Sequence, residues 1–403
     1  MKKLVLFGAG KIGRSFIGQL FATSGFEVVF IDISEPVINE LNRLNEYKVV
    51  IKSSQPDEII TVSNVRGVLG SDADKVAEEL SECDLVAISV GQKGLPNVIY
   101  TLAKGLILRK RKSGRKPLDI IIAENMHNAD KYVRDILNTI IGNDYPVDEL
   151  VGLIETSIGK MVPIMPKDEQ GKDLLIVYAE PYNTLILDKR AFKNPIPDVK
   201  GLAPKDNMKA WVDRKSHIHN FGHAAAAYAG FQTDPSLKYL SDVLNIEAVK
   251  TYTRIAMLQS AEVLLKKHPG EFTLKELTEH IDDLLSRFEN KALGDTVFRV
   301  GCDLKRKLHR DDRILSPIID GIKTGSPVDN ILLTFVYGLS FRAKDEYGNM
   351  FPSDNEFLLL LNKKGLEFVL INLCGLNPAA DTQIIGSILN CYKCRMSKPQ
   401  INL

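Results

Sequence analysis

The 403-residue chain carries 52 Lys and Arg against 51 Asp and Glu, a formal net charge of +1, with 44% hydrophobic and 26% charged residues. That balance excludes a broad basic face for nucleic acid, and no apolar run is long enough to span a membrane. The length exceeds one ordinary core, so two domains are expected.

The chain opens KKLVLFGAGKIGRSFIG and reaches VVFID at Asp32. Residues 2–7 read as a short strand buried on both faces. Gly8, Gly10 and Gly13 follow in G-x-G-x-x-G spacing. Phe16, Ile17, Leu20 and Phe21 then recur at helical spacing up to Gly25, and a second strand, 27–31, ends at Asp32. Gly8 permits a sharp turn, Gly10 lets a pyrophosphate approach the backbone, and Gly13 lets the helix close on the sheet. The helix N-terminus offers free N–H groups to the phosphates. Gly8, Ala9, Gly10, Lys11, Ile12 and Gly13 are therefore the expected cofactor cradle. Asp32 can accept hydrogen bonds from both ribose hydroxyls and would repel a 2′-phosphate, so NAD rather than NADP is expected. No signal-peptide h-region precedes the first strand, and the expected location is cytoplasmic.

Further along, residues 35–46 fit a helix, 47–65 alternate as short appended strands, and 72–80 fit a second helix. Residues 83–90 read as a buried strand that Gly91 ends. Val90 and Gly91, at its carboxyl edge, are expected cofactor contacts. A helix over 95–108 leads into RKRKSGRK (109–116), read as a solvated loop. The strand 118–123 ends in Glu124-Asn125-Met126, and Asn125 is placed to face the nicotinamide ribose and the substrate; asparagine also caps helices well. A helix over 129–142 and strands over 151–161 and 174–180 follow. Pro195 and Pro197 interrupt the pattern, and the domain boundary is placed near 193. The fold class is thus α/β: a Rossmann-type doubly wound sheet over 1–193 and a mostly α-helical domain over 194–403, with clear helices at 246–267, 274–290, 328–339 and 354–361. Five scattered cysteines point to reduced thiols. Cys391 and Cys394 form a lone CxxC without partner ligands, so no metal site is expected.

A dinucleotide implies hydride transfer, and hydride addition to a carbonyl needs a proton donor and groups that stabilise the developing alkoxide. The stretch DRKSHIHNFGHAAAA sets Lys215, Asn220 and His223 as K-x4-N-x2-H. On an ideal α-helix His223 lies about 80° from Lys215 and Asn220 about 140°, so all three can face one cleft. Lys215 suits general acid/base work because burial lowers its pKa. Asn220 and Asn125 can donate to a carbonyl oxygen, and His223 can orient a substrate hydroxyl. The same spacing also suits a surface lysine and a core histidine.

FGAGKIGRSFIG, IIAENM, the K-x4-N-x2-H set with its GHA (222–224), and RFEN (287–290) with RVGCDLKRKL and DDRIL occur in order over residues 1 to about 318. Together they resemble the polyol-specific long-chain dehydrogenases, the mannitol dehydrogenase family. The resemblance implies a zinc-independent, NAD-linked interconversion of a hexitol phosphate and its ketose phosphate. It implies Lys215 as the base in oxidation, Asn125 and Asn220 as the oxyanion site, and His223 as the group that positions substrate. Arg299, Lys305, Arg306, Lys307 and Arg313 are candidates for a phosphate end. SHIHNF, between the lysine and the glycine-histidine pair, is more polar than the family pattern. Sibling reactions, keto-uronate reduction or free polyol oxidation, stay open, as does a non-catalytic NAD(H) sensor. The expected partner is a small sugar phosphate or polyol, with neither nucleic acid nor membrane, and the chain is compatible with a monomer or a dimer.

Overall fold

Residues 1–126, 128–165, 169, 171 and 173–397 are described in the computed structural model, which divides into two units at Val212/Asp213. The N-terminal unit is built on short apolar strands: β1 (Lys3–Phe7), β2 (Glu27–Asp32), β3 (Glu46–Ile51), β4 (Glu58–Ser63), β5 (Val65–Leu69), β6 (Leu85–Ile88), β7 (Leu118–Ile122), β8 (Val151–Ser157), β9 (Val177–Ala179), β10 (Leu185–Asp188) and β11 (Leu202–Lys205). The main sheet runs β11-β10-β8-β7-β6-β1-β2-β5. From β8 to β5 every pairing is parallel. Taken in chain order, β1, β2 and β5 build outward in one direction, and β6, β7 and β8 in the other. The order reverses between β1 and β6, where doubly wound sheets bind ligands beyond their carboxyl ends.

Both faces of this sheet are covered, which is why its strands read as apolar runs. Successive residues of β1 and β2 point to opposite faces. Leu4, Leu6, Val28 and Phe30 join a core with Phe16, Phe21 and Tyr47. Val5, Phe7, Val29 and Ile31 join a second core with Leu80, Leu102 and Val133. Those three come from the helices Ala73–Glu82, Leu95–Ser113 and Ala129–Ile141.

Several expectations change in detail. The alternating stretch after residue 46 does give an antiparallel pair, β3 and β4, which forms a separate small sheet with β9. Val65–Leu69 instead joins the main sheet beside β2. The strands β10 and β11 lie in a stretch where no strand was expected. Because β11 pairs with β10, residues 202–205 stay with the N-terminal sheet, and the division falls at 212/213 rather than at 193.

The basic run at 109–116 is a second correction. The helix continues to Ser113, and Arg109 is buried at 1% exposure. Its guanidinium donates to the carbonyls of Cys83 (2.9 Å), Ser81 (3.3 Å), Pro117 (3.3 Å) and Lys116 (3.4 Å). A planar fork of donors suits such a convergence of carbonyls, which explains arginine here.

The C-terminal unit is helical, as the periodicity indicated. Glu247–Lys267, Leu274–Phe288, Asp329–Leu339 and Pro352–Lys364 are its main expected helices. Thr273 and Glu276 form a reciprocal capping box at the start of the second. Cys391 and Cys394 lie as free thiols on the helix Thr382–Ser397. Among the described residues, no helix is long and apolar enough to cross a membrane.

Leaving buried carbonyls without donors costs about 1–3 kcal/mol each. Arg109→Ala is therefore expected to destabilise the protein by roughly 3 kcal/mol. Arg109→Lys should fail to restore it, because a single ammonium cannot reach every carbonyl. Thermal unfolding of the variants checks this; a melting point within a degree of the parent for Arg109→Ala would refute it.

Candidate functional site

The glycine loop is set by close packing. Gly8 has φ +98, and a Cβ there would lie 2.1 Å from the Ser89 carbonyl oxygen. A Cβ on Gly13 would lie 1.9 Å from the Gly8 carbonyl oxygen. Both positions therefore exclude any side chain. Gly10 differs, since a Cβ there would project into open space. That is the surface a pyrophosphate would cover.

Beside it lies a cavity of about 380 Å³, lined among others by Gly8, Gly10, Asp32, Gly70, Val90 and Val98. Asp32 fixes the loop as well as lining the cavity. Its Oδ2 accepts the Ala9 N–H at 2.7 Å and its Oδ1 the Ser34 N–H at 2.9 Å. Of the other expected cradle residues, Lys11 is exposed and Ile12 packs against the core. The pocket fits NAD: the backbone is open at Gly10, and a carboxylate stands at the end of the second strand.

Val90 and Gly91 are held by a residue not singled out from the sequence. Glu124 Oε1 accepts their N–H groups at 2.7 and 2.9 Å, and burial raises the pKa of this carboxyl. Its signal was an acid at the carboxyl end of a buried strand. Asn125 follows, and its carbonyl accepts from Gln92 Nε2 at 2.9 Å. Asn125 is not the helix cap. Asn128 occupies that position at φ 54, and the Glu155 carboxylate accepts the N–H groups of Asn128 and Ala129.

In the C-terminal unit, Lys215–Asn220 form a single π-turn, followed directly by the α-helix Phe221–Thr233. The Phe221 N–H reaches the Ser216 carbonyl, five residues back. A π-turn absorbs one extra residue relative to an α-helix. The angles expected for an ideal α-helix therefore do not hold. With one residue absorbed, Asn220 falls about 40° from Lys215 and His223 about 20° on the other side. All three share a narrow face.

Burial first, with Arg313 adding, lowers the Lys215 pKa to about 8. His223 stacks on Phe288 at 4.5 Å with the rings 8° apart, which gives the RFEN phenylalanine a function. Its Nε2 meets Asp295 Oδ2 at 3.0 Å, and Asp295 also pairs with Arg299. Burial pushes the His223 pKa well below the usual value, and Arg299, Lys307, Arg313 and Arg287 push it further. The neutral ring then donates Nε2–H to Asp295 and keeps Nδ1 as an acceptor. No motif pointed to Asp295.

The extra histidines of SHIHN are structural. His217 is buried, its Nε2 3.1 Å from Ser316 Oγ, and burial lowers its pKa to about 4. His219 packs against Phe288 and His223. The basic candidates separate into two groups. Lys305 and Arg306 are exposed, and Arg306 pairs with Asp303 and Asp312. Arg299, Lys307 and Arg313 act on His223. Lys307 is itself lowered to about 7 by burial and Arg313.

Comparison with known proteins agrees with both halves. Residues 2–201 match the mannitol dehydrogenase Rossmann domain, and residues 207–367 match the mannitol dehydrogenase C-terminal domain. Mannitol 2-dehydrogenase of Pseudomonas fluorescens, solved with NAD and D-mannitol, is 16% identical, with a TM-score of 0.74 over 99% of this chain and 92% of its own. A D-sorbitol dehydrogenase in substrate-free form is 15% identical, with a TM-score of 0.81 over 98% and 93%. At such identities the likeness is one of fold.

The Asp32 carboxylate, which lines the cavity beside the glycine loop, is proposed to set the choice of cofactor. Asp32→Asn is expected to weaken NADH binding about tenfold and to narrow its preference over NADPH by a similar factor. Fluorescence titrations with each cofactor measure both. An unchanged preference would refute the assignment.

Proposed function

The chain belongs to the mannitol dehydrogenase family, and on that premise we propose that it interconverts D-mannitol 1-phosphate and D-fructose 6-phosphate, the activity of a mannitol-1-phosphate 5-dehydrogenase. The family makes it an NAD-dependent polyol dehydrogenase; the phosphate is the proposed step. The observation that carries it is the set of cations acting on His223: Arg287, Arg299, Lys307 and Arg313. Three of them lie on the stretch Arg299–Arg313, with Asp295 and Asp312 as the paired carboxylates. Arg299 and Arg313 are paired with carboxylates and Lys307 donates to the Val300 carbonyl, so a phosphate would compete for these donors, whereas a free polyol would bring no charge to them.

The roles follow from the chemistry of each group. Bound NAD supplies the hydride acceptor for oxidation, and NADH the donor for reduction. Neutral Lys215 takes the proton of the reacting hydroxyl, and its ammonium returns that proton to the alkoxide in the reverse direction. Asn220 donates a hydrogen bond to the oxygen as negative charge develops, the role that the family resemblance also implies for Asn125. His223, anchored by Asp295, accepts from a neighbouring hydroxyl through Nδ1. A carboxylate would also satisfy the cations, so keto-uronate reduction is the competing reading.

NADH consumption with fructose 6-phosphate, fructose and tagaturonate separates these readings. Fructose 6-phosphate is expected to exceed both by about tenfold or more, the worth of a hydrogen bond to a charged group. Higher activity with fructose or tagaturonate would overturn the phosphate assignment and leave the family and cofactor standing. No turnover with NADH bound would favour a nucleotide sensor.

The pH profile tests Lys215. Its base form is the neutral amine, present above its folded pKa of about 8. Polyol oxidation should therefore rise through pH 8 and ketose reduction should fall over the same range. Lys215→Ala should lose turnover while NADH binding is retained. Oxidation that stays flat through pH 8 would refute the role.

A further inference from the structure

The structure contains a second π-turn, Gly13–Gly18, immediately after the glycine loop. Both π-turns receive a buried hydroxyl from a separate element. Tyr47, from β3, donates to the Arg14 carbonyl at 2.7 Å. Ser260, from the helix Glu247–Lys267, donates to the His217 carbonyl at 2.6 Å. Tyr47 is 2% exposed and Ser260 is fully buried. A Cβ on Gly18 would lie 2.8 Å from the Tyr47 hydroxyl, so this glycine leaves the hydroxyl its place. Side chains that insert into a helical ladder are an established cause of local departures from α-geometry.

We infer that Ser260 is a positioning residue that holds Lys215, Asn220 and His223 on one face by keeping their helix in the π-form. This rests on the roles proposed above for those three residues. Without the inserted hydroxyl, the turn can close to ordinary α-geometry. One residue is then no longer absorbed, and Asn220 and His223 rotate about 100° relative to Lys215. Ser260 itself carries no charge and is assigned no contact with substrate. The Ser316 hydroxyl and the His217 ring hold the same turn from its side-chain face.

The test pairs Ser260→Ala with Ser260→Thr, which retains a hydroxyl. For Ser260→Ala, kcat on the best substrate of the panel is expected to fall about 10- to 100-fold, the scale of a small misplacement of reacting groups. NADH affinity and KM should change far less. Ser260→Thr should recover most of kcat. A crystal structure of Ser260→Ala should show Lys215–Asn220 in α-geometry. A π-turn that persists in that structure, or a kcat that does not fall, would overturn the inference. If the parent enzyme turns over none of the sugars, the functional reading fails, and the crystal structure still decides whether Ser260 holds the turn.

Discussion

The helical step is the constraint on which the helix that carries Lys215, Asn220 and His223 depends. An α-helix turns about 100° per residue, and on that step positions 215, 220 and 223 spread over about 140°. The π-turn at Lys215–Asn220 reduces the spread to roughly 60° by absorbing one residue. A wider rung is costly, because it departs from the hydrogen-bond pattern on either side. It persists because other elements supply what the turn lacks: the Ser260 hydroxyl on the His217 carbonyl and the Ser316 hydroxyl on the His217 ring. The glycine loop repeats the solution with Tyr47 and Arg14, whose Nε also donates to the Ala9 carbonyl at 2.7 Å.

Electrostatics gives this geometry its chemistry. Burial disfavours charge on Lys215, Lys307, His217 and His223 alike. For Lys215 the result is an amine that can exchange a proton near neutral pH. For His223 it is a ring kept neutral, whose tautomer is assigned from its carboxylate partner. The flat stack on Phe288 fixes the plane of that ring, and Asp295 fixes its rotation. His217, His219 and His223 thus each have their own surroundings, and of the three His223 is the one proposed to face a substrate.

In the N-terminal unit, the same carboxylates shape backbone and pocket together. Asp32 holds the Ala9 N–H while lining the cavity, and Glu124 holds Val90 and Gly91. Both sit at the carboxyl ends of parallel strands, where backbone N–H groups of the following loops lack sheet partners. A buried acceptor at such a place satisfies donors that would otherwise be orphaned.

Local chemistry alone determined much of this protein. Apolar runs marked the parallel strands, because both faces of the sheet are covered. The glycine spacing and Asp32 marked the cofactor loop, since those positions obey local steric rules. Helical periodicity marked the C-terminal helices Glu247–Lys267, Leu274–Phe288, Asp329–Leu339 and Pro352–Lys364. Tertiary structure decided what depends on distant neighbours. Asp295 reaches His223 from 72 residues away, and no local pattern encodes that meeting. Arg109 read as part of a surface charge run, yet carbonyls from two other segments draw it inside. The strands β10 and β11 are too short to announce themselves and are strands because each has a partner. The π-turn belongs in the same group. Its residues have no special helical propensity, and the hydroxyl that holds it comes from another helix.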